Sequence, residues 1–238
     1  MSLRTIIYTD PPLLAAATAA RLVTAITDLQ ASQTKVTLAL TGGRTGIAVL
    51  EHLRVNNAMT AIDWDAVDIY WGDERFLPAR HRDRNETQAR AALLDHVPIP
   101  PNRIHPIAPS DGPYGDDPDL AAAAYAKELA EVTLDILLAG VGEEGHTLSV
   151  FPDSPAVHES EATVVAVRDC PKPPPTRITL TLPLARQARE VWLMTTGAGK
   201  AEAVTTALSG ASEVDLPAAG ATGQDLTLWL LDKAAAGR

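Results

Sequence analysis

The chain has 238 residues, 46% of them hydrophobic and 21% charged, with 20 Lys and Arg against 30 Asp and Glu for a net charge of −10. This is too apolar for a disordered chain, is enough for one sizeable core, and has the wrong overall sign for a nucleic-acid backbone, whose capture needs a basic face. Cys170, the only cysteine, cannot form an internal disulfide, which points to a reducing cytoplasm.

No uninterrupted apolar run approaches the roughly 20 residues of a membrane span. The stretch Met1–Asp10 lacks the apolar segment and small-residue cleavage site of a secretory signal. The expected partner is therefore a small molecule, with neither nucleic acid nor membrane. Monomer and small homo-oligomer both stay open.

In chain order, Arg4–Tyr8 leans towards a strand, and Pro11 to about Ser32 reads as a helix with Leu22, Ala25, Ile26 and Leu29 on one face. Val36–Leu40 is a buried-type strand, followed by a helix with Gly46, Val49, Leu50 and Leu53 on one stripe. Val67–Trp71 is another such strand. Glu86–Leu94 and Pro118–Val132 read as helices, and Leu134–Ala139 as the most apolar strand. Thr163–Val167, Ile178–Leu182, Val191–Thr195 and Leu226–Leu230 read as further strands, Lys200–Leu208 as a helix, and Asp232 as the start of a short terminal helix. Apolar strands alternating with helices predict a single α/β domain over residues 1–238, with a mainly parallel sheet covered on both faces in a Rossmann-like arrangement.

In such sheets ligands bind at the carboxyl ends of the strands. Four glycine-bearing loops fall there: Thr41-Gly42-Gly43-Arg44-Thr45, Gly72-Asp73-Glu74-Arg75, Gly142–His146 and Gly197-Ala198-Gly199-Lys200. Three carry a cation and one a histidine, which suggests a single pocket. Gly42 and Gly43 precede a helix, where backbone N–H groups and the helix dipole favour an anion, although a ligand-free tight turn explains them equally well. Neither the P-loop nor the Rossmann glycine spacing is present, so nucleotide cofactors are disfavoured.

Asp73, Glu74 and Arg75 fit a local ion-pair cluster, or an arginine gripping a phosphate beside orienting carboxylates. His146 lies in a glycine-rich loop with no face to pack on, and an ordinary imidazole suits a general base at neutral pH. Glu144 could fix its tautomer. Lys200 reads as a solvated lysine or a phosphate contact, and Arg177 as an exposed strand-end charge or a contact. Pro171-Lys172-Pro173-Pro174-Pro175 reads as a stiff surface loop. No histidine pair has metal-ligand spacing, no Gly-x-Ser-x-Gly elbow occurs, and Cys170 is expected away from the glycine-bearing loops.

Taken together, Trp71-Gly72-Asp73-Glu74-Arg75 with Pro78 and Asn85, Gly142–Pro152, Arg177-Ile178-Thr179-Leu180-Thr181 and Gly197-Ala198-Gly199-Lys200-Ala201 resemble the 6-phosphogluconolactonase family, within the glucosamine/galactosamine-6-phosphate isomerase-like superfamily. The resemblance implies the fold of sugar-phosphate isomerases and deaminases. It also implies cofactor- and metal-free hydrolysis of 6-phospho-D-glucono-1,5-lactone to 6-phospho-D-gluconate in the oxidative pentose phosphate pathway. By position it makes His146 the base that activates water. Arg75, Arg177 and Lys200 become substrate or phosphate contacts, with Gly42 and Gly43 shaping the pocket floor; Arg44, well placed in the first glycine-bearing loop, is a further candidate contact read from its place alone. Asp73, Asn85 and Glu144 take supporting places.

The chain departs from the family pattern at Thr45-Gly46, where Thr-Pro is usual, at Glu144, where Asp is usual, and at Thr147-Leu148-Ser149-Val150. An aminosugar-phosphate deaminase of the same fold shares the Gly-His loop but continues towards Asn-Glu-Pro, which Thr147–Pro152 does not.

Overall fold

The computed structural model describes residues 2–238. β1 (Ser2–Tyr8) leads to Asp10, whose carboxylate accepts a hydrogen bond from Leu13 N at 2.8 Å. That caps α1 (Pro11–Gln30), with Pro11 and Pro12 in the first turn, where a missing N–H costs nothing. α1 lays Leu14, Thr18, Leu22 and Ile26 on the core and also carries Arg21 and Asp28. At 20 residues it is long and apolar enough, by length and composition alone, to cross a membrane, although Arg21 and Asp28 interrupt its apolar run.

β2 (Val36–Leu40) is buried at every residue and opens into α2 (Gly43–Arg54), which packs on α1. β3 (Val67–Trp71) is equally buried, and after Gly72 the chain forms β4 (Asp73–Arg75), a strand of 3 residues that the sequence pattern does not announce. α3 (Asn85–Ala92) ends where Leu93 leaves helical geometry, so the single helix expected over Glu86–Leu94 is this helix followed by a 3-10 turn at Leu94–His96. α4 (Pro118–Leu129), capped by Asp117, precedes β5 (Ile136–Gly140). β6 (Val164–Val167), β7 (Arg177–Leu180), the one-turn α5 (Leu182–Ala185), β8 (Glu190–Thr195), α6 (Ala201–Leu208) and β9 (Leu226–Asp232) complete the chain.

The expected terminal helix at Asp232 is instead the end of β9 followed by turns. The Asp232 carboxylate accepts hydrogen bonds from Ala235 N at 2.7 Å and from Gly197 N at 3.0 Å, so it starts a turn and anchors a neighbouring loop.

Six strands form one parallel sheet in the order β1-β9-β8-β5-β2-β3. Its core includes the fully buried Trp71, Trp192 and Trp229. β4, β7 and β6 form a separate antiparallel sheet, with Arg75 directly opposite Arg177. The fold is thus a single α/β domain with a wholly parallel main sheet flanked by helices, as the alternation predicts.

After β2 the chain moves to one edge as β3, whereas β5 lies on the other side of β2. The loops leaving β2 and β5 therefore diverge, and a crevice opens at this switch point beyond the carboxyl ends of the strands.

Candidate active site

That crevice holds a cavity of about 200 Å³, walled by the loops that follow β2, β5 and β8, by β4, and by Asn85 and Arg177. Of the side chains singled out from sequence, Gly42, Gly43, Arg44, Asp73, Arg75, Asn85, His146, Arg177 and Lys200 all line it. Glu144 stands behind His146. Thr45 and Leu148, quoted from sequence only as parts of their loops, also line it, as do Met194, near the end of β8, and Thr196, just after it, which carried no signal of their own.

α2 starts from Gly42 with no side-chain cap and no acidic residue in its first turn, so its amino end stays open to an anion. A Cβ at position 42 would lie 1.9 Å from Asn85 Oδ1, which is why the chain needs glycine there. Arg44, in the first turn, is exposed and makes no ion pair among the described residues.

The antiparallel register sets the guanidinium groups of Arg75 and Arg177 on one face of β4 and β7, both beside the cavity. Like charges directly opposite each other destabilise a strand pair unless something between them offsets the repulsion. Arg75 forms no ion pair with Asp73 or Glu74; its Nη1 donates to Asp83 O at 2.6 Å, and its Nε is buried with no partner. Arg177 is buried rather than exposed at a strand end. It donates from Nη2 to Lys172 O at 3.0 Å and Pro173 O at 3.3 Å, and from Nε to Pro174 O at 3.3 Å.

Asp73 accepts from Ser149 Oγ at 2.6 Å, and Asn85 Nδ2 donates to Asp73 O at 2.8 Å. Glu74 alternates to the other face of β4 and accepts from the backbone N–H groups of Arg75, Asn85 and Glu86 at 2.7, 2.6 and 2.9 Å. It thereby fixes the start of α3 and the position of Asn85.

The loop after β5 is drawn tight by Gly142 N donating to His146 O at 2.8 Å and Thr147 Oγ1 donating to Gly140 O at 2.9 Å. The His146 ring stacks on Phe151 with centroids 4.4 Å apart. Its Nδ1 is buried and lies 3.0 Å from Glu144 Oε1, close but without the alignment of a hydrogen bond. A Cβ on Gly142 would sit 1.9 Å from that Nδ1, so glycine is needed for the ring to lie where it does.

Burial lowers the His146 pKa to about 4 and outweighs the upward pull of Glu144 and Asp73, with Lys172 adding to the fall. The imidazole is therefore neutral at neutral pH. Burial alone would raise the Glu144 carboxyl, but the Lys172 hydrogen bond, the backbone, and the charges of His146 and Lys172 bring it down to about 2. Lys200 Nζ donates to Val141 O, and burial lowers its pKa, helped by Lys172 and Arg44 against Glu143 and Glu144.

Burial raises the Cys170 thiol pKa, and the charges of Arg177 and Asp73 act on it, although it does not line the cavity. Among the described residues no cluster of three His, Cys, Asp or Glu side chains is arranged to hold a metal ion.

The sheet and its cavity define an α/β protein with an arginine- and lysine-lined crevice at a strand switch point. The chain belongs to the glucosamine-6-phosphate isomerase/6-phosphogluconolactonase family, whose model matches residues 9–229, and it is one of that family's enzymes. It is 53% identical over 241 residues to a 6-phosphogluconolactonase of Streptomyces coelicolor, covering 97% of this chain and 92% of the relative. It is 50% identical to the 6-phosphogluconolactonase of Mycobacterium tuberculosis, covering 98% and 96%.

The solved 6-phosphogluconolactonase of Trypanosoma brucei superposes with a TM-score of 0.88 at 28% identity, over 99% of this chain and 98% of that one. A monomeric glucosamine-6-phosphate deaminase superposes with a TM-score of 0.82 at 19% identity, over 100% and 99%, and at that identity shows the shared fold alone.

Proposed function

We propose that this enzyme is a cytoplasmic 6-phosphogluconolactonase that hydrolyses 6-phospho-D-glucono-1,5-lactone to 6-phospho-D-gluconate, a step of the oxidative pentose phosphate pathway, with His146 as the base. The observation that carries the proposal is the pairing, in one cavity, of a neutral imidazole with two arginines forced opposite each other and an uncapped helix start. The names of relatives sharing half its residues support the substrate.

In this reading the phosphate lies against Arg75 and Lys200, with Arg44 and the first N–H groups of α2. Arg177 serves mainly to hold the Pro171–Pro175 segment. The lactone carbonyl then faces His146 Nε2. The imidazole takes a proton from water as the water oxygen bonds to the carbonyl carbon. The tetrahedral centre collapses with cleavage of the ring C–O bond, and the imidazolium returns the proton to the departing ring oxygen. Glu144 faces Nδ1 and stabilises the imidazolium between the two transfers.

The test is hydrolysis of freshly prepared lactone above its spontaneous rate, with and without EDTA. Acceleration that survives EDTA is expected. No acceleration by folded protein overturns the activity, and acceleration that EDTA abolishes overturns the mechanism.

The pH dependence is a sharper check. A base whose pKa falls from 6.5 to about 4 stays unprotonated as pH drops through 6. Once the substrate phosphate's own ionisation near pH 6 is allowed for, kcat/KM is expected to hold within about twofold from pH 7.5 to 5 and to fall towards pH 4. A midpoint near 6.5 would show that the reacting imidazole is not the buried one.

A further inference from the structure

We infer that Lys172 is a positioning residue for the reaction: carried on the Pro171–Pro175 segment, it holds the Glu144 carboxylate between its own ammonium group and the His146 ring. The inference rests on the lactonase reading above, in which His146 is the base.

Lys172 Nζ donates to Glu144 Oε2 at 2.8 Å, while Oε1 of the same carboxylate lies 3.0 Å from His146 Nδ1. No other side chain among the described residues hydrogen-bonds Glu144. The Lys172 side chain is 45% exposed, and a surface pair of this kind ordinarily contributes only about 0–1 kcal/mol to stability, so stability does not account for it.

What sets the pair apart is the anchoring of its base. The carbonyls of Lys172, Pro173 and Pro174 all accept from the buried Arg177, and Cys170 N donates to Pro175 O at 3.0 Å. Arg177 in turn reaches Ser149 Oγ at 3.4 Å, and that hydroxyl donates to Asp73. The segment is thus tied to the cavity wall by one arginine and reaches over it to the carboxylate behind the base.

Two consequences follow. Glu144 is exposed with several free torsions, and without Lys172 its carboxylate has no cation to pair with except the imidazolium itself. Lys172 also offsets the negative charge beside the ring. The groups acting on the imidazole are Glu144 from its own loop, Asp73 from β4 and Lys172 from the proline segment. Arg75, Arg177, Lys200 and Arg44 share the cavity with it. Removing the lysine leaves the two carboxylates less opposed, so the ring binds a proton more readily. Removing the Glu144 charge does the reverse. A merely structural contact would not give opposite displacements.

The experiment compares pH profiles of kcat/KM for the full-length enzyme and its Lys172→Met, Lys172→Arg and Glu144→Gln variants, alongside NMR titration of the His146 ring without substrate. For Lys172→Met the acid limb is expected to rise by about one pH unit, a displacement typical of a neighbouring charge. At pH 5 that variant would keep about half its plateau value where the parent keeps about nine-tenths, with KM unchanged within about twofold. Glu144→Gln should move the limb down, and Lys172→Arg should track the parent.

A Lys172→Met profile that superposes on the parent overturns the inference. So does a tenfold rise in KM with an unmoved limb, which would make Lys172 a phosphate ligand. The NMR titration keeps the two readings separable. An upward shift of His146 in Lys172→Met supports the coupling even if no lactone is hydrolysed, and no shift overturns it even if the lactonase activity stands.

Discussion

Replacing His146 with alanine is expected to lower kcat by about a hundredfold or more while KM stays within about threefold, because general acid–base catalysis by a positioned side chain is worth about 10²–10⁴. In barrier height that is about 3–5 kcal/mol. No other cavity group is free to take the role. The Asp73 carboxylate is engaged by Ser149 and Asn85, and the remaining charged side chains that line the cavity are cations.

The loop should survive the change, since its closing bond from Gly142 N runs to the His146 carbonyl, which alanine keeps. The ring does pack on Phe151, so His146→Gln, which fills more of the space, is the companion variant. Steady-state rates corrected for spontaneous lactone opening decide the matter. Turnover within a few-fold of the parent in both variants would remove His146 from the chemistry.

Much of this site is legible without the fold, for a physical reason. Parallel strands buried on both faces appear as unbroken apolar runs, and Val36–Leu40 and Val67–Trp71 bound β2 and β3 to the residue. The polar residues after such runs must lie on one edge of the sheet, so the glycine-bearing loops can be grouped without knowing the strand order. β5 begins two residues later than its apolar run because Asp135 is engaged at the entry to β2, where its carboxylate accepts from Thr37 N at 2.8 Å.

What the sequence pattern does not carry is β4 and the pairing that sets β4, β7 and β6 apart as a second sheet, although β6 and β7 are themselves legible as strands. Asp73-Glu74-Arg75 has no apolar alternation, and its strand character comes only from pairing with β7, about a hundred residues away. That pairing sets Arg75 against Arg177, buries Arg177 against the proline segment, and brings Ser149 to Asp73. Lys172 is visible in the sequence only as part of a stiff loop, because its partner Glu144 is reached through the fold. The end of the chain misleads for a related reason: Asp232 does cap Ala235 N as a helix-starting aspartate would, but the segment closes as turns instead of continuing.

The same alternation along β4 sends Glu74 away from the cavity, where it is 1% exposed and faces the wholly buried Arg84 at 3.6 Å. Arg84 also donates to Ile107 O at 2.7 Å and Leu77 O at 3.2 Å, and it approaches Glu86 at 3.3 Å. Replacing Arg84 with methionine is expected to lower the unfolding free energy by about 3 kcal/mol at pH 8. That is the low end of the cost of breaking a buried pair, because three backbone N–H groups still serve the carboxylate.

The loss should shrink on acidification. Burial already raises the Glu74 pKa to about 7, against the pull of Arg84 and the three N–H groups. An acid whose folded pKa lies above its unfolded value near 4.5 favours the folded state below that unfolded value and loses this contribution as pH rises through the folded one. Without Arg84 the folded pKa rises further. At pH 8 the variant must then either bury an uncompensated charge or take up a proton against the solution pH, whereas at pH 5.5 the carboxyl is neutral, and the deficit should fall to about half. Denaturant unfolding at the two pH values measures it. A deficit equal at both would mean that Arg84 contributes through packing and its carbonyl bonds, with the Glu74 charge playing no part. Because Glu74 also fixes the start of α3, a variant with intact stability and lost turnover would instead place the effect in Asn85 at the cavity wall.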